Sequence, residues 1–194
     1  MSQSPESRLR AGVDQLSLQL PDGAMEKLLA YLALLVKWNA AYNLTAIRDP
    51  EQMVIKHLLD SLGIVPHVQG KTLIDVGTGA GLPGLMLAIA KPDLQVTLLD
   101  SNGKKVRFLR QVIADLQITN ADAVQSRVEE FDRKFDLVSS RAFATLADMV
   151  NGSRQLLADG GEFLAMKGQH PADEIAALPT GFVVRDVVPL HIPF

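Results

Sequence analysis

The sequence contains no cysteine among its 194 residues. Disulfides, catalytic thiolates and cysteine-based metal sites are therefore excluded, and we expect no bound metal. The N-terminus also lacks the apolar segment of a signal peptide, and no apolar run approaches the roughly 18 residues of a membrane span. These absences are typical of a soluble, cytoplasmic protein, for which no membrane partner is expected.

Positive charge is not in excess either, because 19 lysines and arginines stand against 22 aspartates and glutamates, for a formal net charge of -3. The chain as a whole therefore does not attract nucleic acid, and any RNA contact must come from a local basic patch. Hydrophobic residues make up 47% of the sequence, and no low-complexity linker divides it. We expect a monomer with one domain, or one domain plus a small cap.

The most informative stretch is residues 71–84, which read KTLIDVGTGAGLPG. β-favouring residues run into Gly77, Gly79 and Gly81 and then into an apolar segment, which predicts a strand, a tight loop and a helix. Glycines let the backbone turn at unusual φ and let a ligand approach without a Cβ atom in the way. The start of the helix would direct free N–H groups at that ligand. We therefore predict a nucleotide-like ligand over this loop, with Thr78 also at the site.

The glycine pattern alone does not identify the ligand, because Gly79, Gly81 and Gly84 also satisfy the dinucleotide motif G-x-G-x-x-G. Asp75 favours S-adenosylmethionine (SAM), since a carboxylate at this strand end would crowd a pyrophosphate but can serve the ammonium group of a methionine moiety. Asp100 ends the next predicted strand and can accept the ribose hydroxyls of either ligand. An NAD-dependent oxidoreductase is the alternative, disfavoured by Asp75 and by the lack of a Tyr/Lys or His/Asp hydride-transfer set.

Strand and helix patterns alternate from residue 71 onward, which predicts a mostly parallel sheet with helices on both faces. We expect strands near residues 72–76, 94–99, 121–125, 135–139, 160–166 and 182–190, and helices near residues 82–90, 103–117, 145–157 and 171–178. Before them, helices are predicted at residues 5–18, 22–42 and 50–62. Residues 1–70 would thus form a helical extension, and residues 71–194 a domain with its site at the carboxyl ends of the strands.

Basic residues are concentrated in the helix after the second predicted strand. Lys104, Arg107 and Arg110 fall on its polar side and form, with Lys105, the densest basic patch of an acidic chain. The patch is either an ordinary solvated helix face or a phosphate-binding face at the rim of the ligand cleft. Arg127, beside the end of the third predicted strand, is a further candidate for RNA contact.

Two more cations, Arg141 and Lys167, follow the fourth and fifth predicted strands. Strand ends of a parallel sheet meet at one edge, so both residues are candidates for the mouth of the cleft. Arg141 is alternatively a structural residue that pairs with Asp75 or Asp136.

The N-terminal helices contribute two candidate RNA contacts, Asn43 and His57. Asn43 follows Trp38 and Tyr42 at the end of the second predicted helix, where the aromatic residues also suit core packing. His57 lies within the third predicted helix, and a helical histidine is alternatively a packed or a surface group.

Seven segments together resemble the bacterial 16S rRNA guanine-N7 methyltransferase G family (RsmG, also called glucose-inhibited division protein B). They read KWNAAYNLTAIRD, KHLLDSL, DVGTGAGLPG, LLDSNGKKVRFL, SRVEEF, SRAFA and LAMKGQ. The resemblance implies an α/β class I SAM-dependent methyltransferase with a Rossmann-like fold and a helical N-terminal extension. Its substrate would be the guanine at nucleotide 527 of 16S rRNA, within the 30S subunit or an assembly intermediate. A non-catalytic ribosome-assembly factor that keeps this fold and binds RNA is the alternative.

The resemblance also implies roles for individual residues. Gly77, Leu82, Val128, Glu129 and Arg141 would contact SAM. Members of the family continue with a further strand after a segment like PLHIPF, so the last strand of the methyltransferase domain is expected to be missing from this chain.

Methylation at guanine N7 requires no proton transfer by the protein. N7 carries a lone pair and no proton, so its attack on a methyl group needs no general base. The sequence offers no convincing His/Glu or His/Asp catalytic pair, and we therefore expect no acid–base catalytic residue. We assign positioning of the substrate to Arg141 and Lys167.

Overall fold

The computed structural model describes residues 4–194, so residues 1–3 of the predicted extension lie outside the described residues. One sheet contains the strands β1 (Thr72–Val76), β2 (Gln95–Asp100), β3 (Ala121–Gln125), β4 (Phe135–Ser140) and β5 (Leu157–Ala165). Their order is β3-β2-β1-β4-β5, and every neighbouring pair is parallel. The predicted α/β Rossmann-like architecture is confirmed.

The helices precede and alternate with these strands. The α-helices are α1 (Pro5–Gln15), α2 (Ala24–Tyr42), α3 (Pro50–Met53), α4 (Asp60–Leu62), α5 (Gly84–Ala90), α6 (Gly103–Asp115), α7 (Leu146–Ser153) and α8 (Ala172–Ala176). A π-helix, Val54–Leu59, joins α3 to α4, and short 3-10 helices lie at Val65–His67, Val128–Glu130 and Arg154–Leu156. No helix within residues 4–194 has the length and hydropathy needed to cross a membrane.

Helices cover both faces of the sheet. Leu73 and Ile74 of β1 point to opposite sides and belong to two separate core clusters. The cluster of Leu73 includes buried residues of α5 and α6, and α2 packs against these two helices from outside. The cluster of Ile74 includes Met149 of α7. The N-terminal helices therefore share one continuous core with the helices that flank β1 and β2.

The start of α3 shows how local signals set a helix boundary. Asp49 accepts a hydrogen bond from the Glu51 N–H at 3.0 Å, and Pro50 occupies the first helical position. The predicted start at Pro50 is confirmed. The predicted helix then continues to Leu62, but its middle is π-helical rather than α-helical.

Residues 182–190 form no strand, and the strand predicted there is therefore wrong. Phe182 packs its ring 5.9 Å from that of Phe163, and Arg185 forms an ion pair with Glu162, so the segment contacts β5 through side chains. Val183 keeps 89% of its surface exposed. Apolar residues stabilise a strand only when one of its faces is buried, and the four valines of this segment lie outside the core.

Candidate functional site

The candidate site lies at the carboxyl edge of the sheet, between β1 and β4. The strand order reverses there, because β2 and β3 follow on one side of β1 while β4 and β5 lie on the other. Ligands of open parallel sheets bind in the crevice at such a switch point. Two connections border it: the β1 loop, residues 77–83, and the β4 loop, residues 141–145.

Three glycines give the β1 loop its conformation. Gly77, Gly79 and Gly81 have φ angles of 65°, 61° and 95°, a region that side chains disfavour. A Cβ atom on Gly77 would lie 2.5 Å from Cβ of Ala142, so this glycine lets the two loops approach each other. A Cβ atom on Gly79 would meet nothing within 4 Å. The backbone at Gly79 therefore borders open space, as a ligand-facing loop requires.

Asp75 lies beneath the β1 loop with no exposed surface. Its Oδ2 accepts hydrogen bonds from Thr78 Oγ1 at 2.7 Å and from the Gly84 N–H at 2.8 Å, and its Oδ1 accepts one from Ser139 Oγ at 3.2 Å. Burial raises its pKa to about 7, although these hydrogen bonds and the charge of Arg141 oppose the shift. Through these hydrogen bonds Asp75 connects the β1 loop, the start of α5 and the end of β4.

This arrangement differs from the expectation that Asp75 faces the ligand. A buried carboxylate needs partners for its lone pairs, and here the partners come from the protein itself. Thr78 is similarly turned inward, with 3% of its surface exposed. Leu82, another predicted cofactor contact, is 8% exposed and packs in the core. The direct SAM contacts assigned to these three side chains stay predictions that the buried geometry does not favour.

Asp100 closes the other side of the β1 loop. Its Oδ2 accepts a hydrogen bond from the Gly79 N–H at 2.9 Å, and its Oδ1 accepts one from the Asn102 N–H at 2.9 Å. Lys105 Nζ lies 4.0 Å from Oδ2. Asn102, rather than Asp100, caps α6 with its side chain. Asp100 therefore joins the end of β2 to the glycine whose backbone borders open space.

Val128 and Glu129 lie in the 3-10 helix that follows β3. The end of β3 is next to the end of β2, since Gln125 pairs with Asp100, so both residues are on the predicted edge. Val128 is half-buried and packs on the second core cluster, while Glu129 is exposed. Their contacts to a cofactor stay predictions.

Arg141 begins the β4 loop, and its partner is neither of the two expected acids. Its Nη1 lies 3.4 Å from Oδ2 of Asp60, with 34% and 31% of the two side chains exposed. Asp75 is enclosed by hydroxyl and amide donors, and Asp136 accepts hydrogen bonds from the N–H groups of Lys71 and Thr72. Arg141 is consequently held at the cleft by the N-terminal helices rather than by the sheet.

Lys167, the second predicted positioning cation, is already engaged. Its Nζ lies 2.9 Å from Glu174 Oε2 and donates a hydrogen bond to the Ala144 carbonyl at 3.0 Å. It therefore connects β5, α8 and the β4 loop. A role in RNA contact would require it to exchange Glu174 for the substrate.

Asn43 and His57, the two residues of the N-terminal helices predicted to contact RNA, both make hydrogen bonds within the protein. His57 is 8% exposed, with Nε2 2.7 Å from Thr45 Oγ1, and burial lowers its pKa. Asn43 ends α2 with a φ of 50°, and its Oδ1 accepts a hydrogen bond from Arg48 at 3.0 Å. Asn43 is exposed and His57 is not, so contact with RNA is sterically open only to Asn43.

The basic patch divides into engaged and available cations. Arg110 donates from Nε to the Ala123 carbonyl at 3.1 Å, and Lys105 lies toward Asp100. The side chains of Lys104 and Arg107 are exposed and have no ion-pair partner in the described part of the chain. Arg107 and Arg110 also line a surface depression of about 340 Å³ between α6 and the end of β3. Arg127 is exposed at the same sheet edge.

Two contacts at the site were missed by reasoning from the sequence. Tyr31 of α2 donates a hydrogen bond from its hydroxyl to the Ala80 carbonyl in the β1 loop at 2.8 Å. Asp60 of α4 pairs with Arg141. Both join residues that are far apart in the chain, and no local motif signals either of them.

Comparison with known proteins gives a consistent result over nearly the whole chain. A model of the family rRNA small subunit methyltransferase G matches residues 24–194. The ribosomal RNA small subunit methyltransferase G of Chromohalobacter salexigens is 55% identical over 194 residues, covering 100% of this chain and 93% of the relative. The protein of the same name from Chromobacterium violaceum is 53% identical over 190 residues, covering 96% and 91%. That of Escherichia coli (strain SMS-3-5) is 53% identical over 178 residues, covering 91% and 86%.

The matched region contains α2, both loops and all five strands, so it includes every element that borders the candidate site. Identity above one half across essentially the full chain confirms the resemblance drawn from the seven sequence segments. The chain therefore belongs to the rRNA small subunit methyltransferase G family.

Proposed function

We propose that this protein transfers a methyl group from SAM to N7 of the guanine at nucleotide 527 in 16S rRNA of the small ribosomal subunit. The observation that carries the proposal is the β1 loop, which presents the Gly79 backbone to open space at the switch point of the sheet. The relatives are named ribosomal RNA small subunit methyltransferases, which supports the reaction class and the substrate RNA.

The residues around the β1 loop suit SAM. Gly79 leaves free the volume that a side chain would fill, so ligand atoms can approach the backbone there. Asp100 already accepts two backbone N–H groups, and a carboxylate has further lone pairs for ribose hydroxyls. Val128, Glu129 and Arg141 complete the proposed binding set. When bound, SAM supplies a methyl group on a positively charged sulfur.

The chain's own contribution to the reaction is positioning. Guanine N7 has a lone pair and no proton, so the protein must align it with the methyl group but need not remove a proton. The state of His57 agrees with this, because a buried histidine with a lowered pKa, hydrogen-bonded to Thr45, is a packed neutral side chain. Arg141 would face the base or a neighbouring phosphate from the β4 loop.

Substrate RNA would approach over α6. Lys104 and Arg107 are exposed cations without acidic partners in residues 4–194, which is the state that phosphate contact requires. Arg127, at the same edge of the sheet, would extend this surface toward the β3 end. Because the net charge of the chain is -3, these local cations would have to supply the attraction.

Methyl transfer from labelled SAM tests the proposal, with 30S subunits and naked 16S rRNA that lack the modification as substrates. We expect label at guanine 527. Replacing that guanine by 7-deazaguanine keeps its base-pairing edge and removes the N7 lone pair, so transfer should be abolished while binding is retained. The control carries the same replacement at a neighbouring guanine and should be methylated normally.

Two outcomes would contradict the proposal. Continued methylation of the 7-deaza substrate would show that another atom is the acceptor. Binding of SAM and RNA without transfer to either form of the substrate would identify a non-catalytic assembly factor.

A further inference from the structure

We propose that Tyr31 is a positioning residue of the cofactor loop, so that the N-terminal helical extension takes part in SAM binding although it lies outside the sheet. The inference rests on the proposed function, since it assigns to SAM the open space above the β1 loop. It concerns one contact, the hydrogen bond from the Tyr31 hydroxyl to the Ala80 carbonyl, at 2.8 Å.

The Ala80 carbonyl depends on this contact. Ala80 lies between Gly79 and Gly81, and it is 4% exposed. Within residues 4–194, no other protein donor reaches its carbonyl oxygen. A buried carbonyl without a donor is costly, so removal of the Tyr31 hydroxyl would favour loop conformations that expose Ala80 to water.

The rest of the β1 loop is anchored from the opposite side. The Thr78 N–H donates to the Leu99 carbonyl at 3.0 Å, and the Gly79 N–H donates to Asp100 at 2.9 Å. Both acceptors belong to β2, and Asp75 of β1 accepts a hydrogen bond from the Thr78 hydroxyl at 2.7 Å. Tyr31 is therefore the anchor that acts from the helical layer, and the glycine-rich backbone between the two sides has little stiffness of its own.

Tyr31 is itself rigidly placed. It has no exposed surface, and its ring centroid lies 6.2 Å from that of Phe108 in a tilted arrangement. Phe108 belongs to α6 and also contacts Trp38, with centroids 5.7 Å apart. Burial raises the pKa of the Tyr31 phenol far above its usual range, so the hydroxyl remains a donor at every pH at which the protein would be studied.

The consequence for binding follows from the conformations of the free protein. If only a fraction of the molecules has the loop in the form that accepts SAM, the apparent affinity equals the intrinsic affinity multiplied by that fraction. Tyr31→Phe keeps the ring and its packing against Phe108 but removes the donor. We expect SAM to bind on the order of tenfold more weakly, which is the scale of one orphaned buried carbonyl. The KM for SAM should rise, and kcat at saturating SAM should stay near the wild-type value.

Tyr42→Phe is the matched control. It removes the same atom from the same helix, but the Tyr42 ring is half-buried, stacks on Trp38 at 5.1 Å, and its hydroxyl has no hydrogen bond among the described residues. Calorimetry should give it an affinity for SAM within about twofold of wild type. Hydrogen exchange without ligand should be faster over residues 77–84 in Tyr31→Phe and unchanged in Tyr42→Phe.

The two measurements separate the inference from the function on which it rests. Wild-type affinity and wild-type exchange over residues 77–84 in Tyr31→Phe would overturn the inference and leave the methyltransferase proposal intact. Failure of the wild-type protein to bind SAM would overturn the proposed function. Faster exchange over the whole chain, with a large fall in melting temperature, would show a general packing defect and would also overturn a positioning role.

Discussion

The two loops that border the candidate site are held in different ways. The β1 loop is fixed by fully or nearly buried groups on three other elements, Tyr31, Asp75 and Asp100, each of which binds loop backbone or a loop side chain. The β4 loop is held by pairs that remain partly exposed, Arg141 with Asp60 and Lys167 with Glu174. The β1 loop presents a fixed backbone, whereas the charged side chains of Arg141 and Lys167 lie in and beside the β4 loop.

The buried hydrogen bonds of the β1 loop and the partly exposed ion pairs of the β4 loop suit two different kinds of ligand. Buried hydrogen bonds are expensive to break, so the β1 loop suits a small cofactor whose shape is always the same. Partly exposed ion pairs contribute little to stability, so Arg141 and Lys167 can exchange their acidic partners at small cost. The β4 loop therefore suits a substrate that arrives and leaves, as a ribosomal RNA would.

Gly79→Val should break the β1 loop as a ligand site and has the largest expected effect. A β-branched residue at a φ of 61° is strained, and its side chain would project into the open space assigned to SAM. Calorimetry should detect no SAM binding. Gly160→Val is the control, because Gly160 in β5 has a φ of 75° and equally open surroundings but lies away from both loops. Unchanged affinity in a folded Gly79→Val protein would remove the β1 loop from the site.

The double substitution Lys104→Glu with Arg107→Glu should separate RNA binding from cofactor binding. Affinity for substrate RNA should fall steeply while affinity for SAM barely changes. The slope of the logarithm of RNA affinity against the logarithm of salt concentration should become shallower by about 0.7 to 0.9 for each phosphate that the variant no longer binds. Arg133→Glu with Lys134→Glu makes the same change in net charge at the amino edge of the sheet and serves as control. If the salt dependence of RNA binding is unaltered in the α6 variant, that face is ordinary solvated surface.

The β1 loop could be predicted from the sequence because its signals are local. Three glycines at alternate positions after a β-favouring run indicate a tight loop, because glycine readily adopts the positive φ angles that such a loop needs. Asp49 with Pro50 indicates a helix start in the same local manner. The strand order also followed the usual rules for alternating strands and helices. For the β1 loop and the start of α3, the information lies within a few residues of the feature.

The anchors of both loops could not be predicted, because they depend on tertiary packing. Tyr31 is 49 positions from Ala80, and in the sequence it is one more apolar residue of an amphipathic helix. Asp60 similarly gives no sign that it will meet Arg141. The inward turn of Asp75 and the exposed valines of residues 182–190 have the same origin, since burial is decided by which elements meet and not by the local pattern.

The last prediction concerns the stability of the protein rather than ligand binding, and it rests on Asp75, the group that joins the β1 loop to β4. It accepts hydrogen bonds from Thr78 beside the β1 glycines and from Ser139 at the end of β4. Burial raises its pKa from 3.8 to about 7. Between these values the folded protein keeps a proton that the unfolded chain has lost, so the free energy of unfolding falls as pH rises through this window and levels above it.

Asp75→Asn should remove this contribution while keeping the geometry, because the amide oxygen can accept from Thr78 and Gly84 and the amide nitrogen can donate to Ser139. The free energy of unfolding of the variant relative to wild type should therefore rise between about pH 4 and pH 7 and then become constant. Urea denaturation across this range measures it. Asp136→Asn is the control, since hydrogen bonds from Lys71 and Thr72 lower the pKa of Asp136, and its contribution changes only at more acidic pH. A relative stability of Asp75→Asn that does not vary with pH would mean that Asp75 is ionised throughout, and that its hydroxyl and amide donors compensate its burial in full.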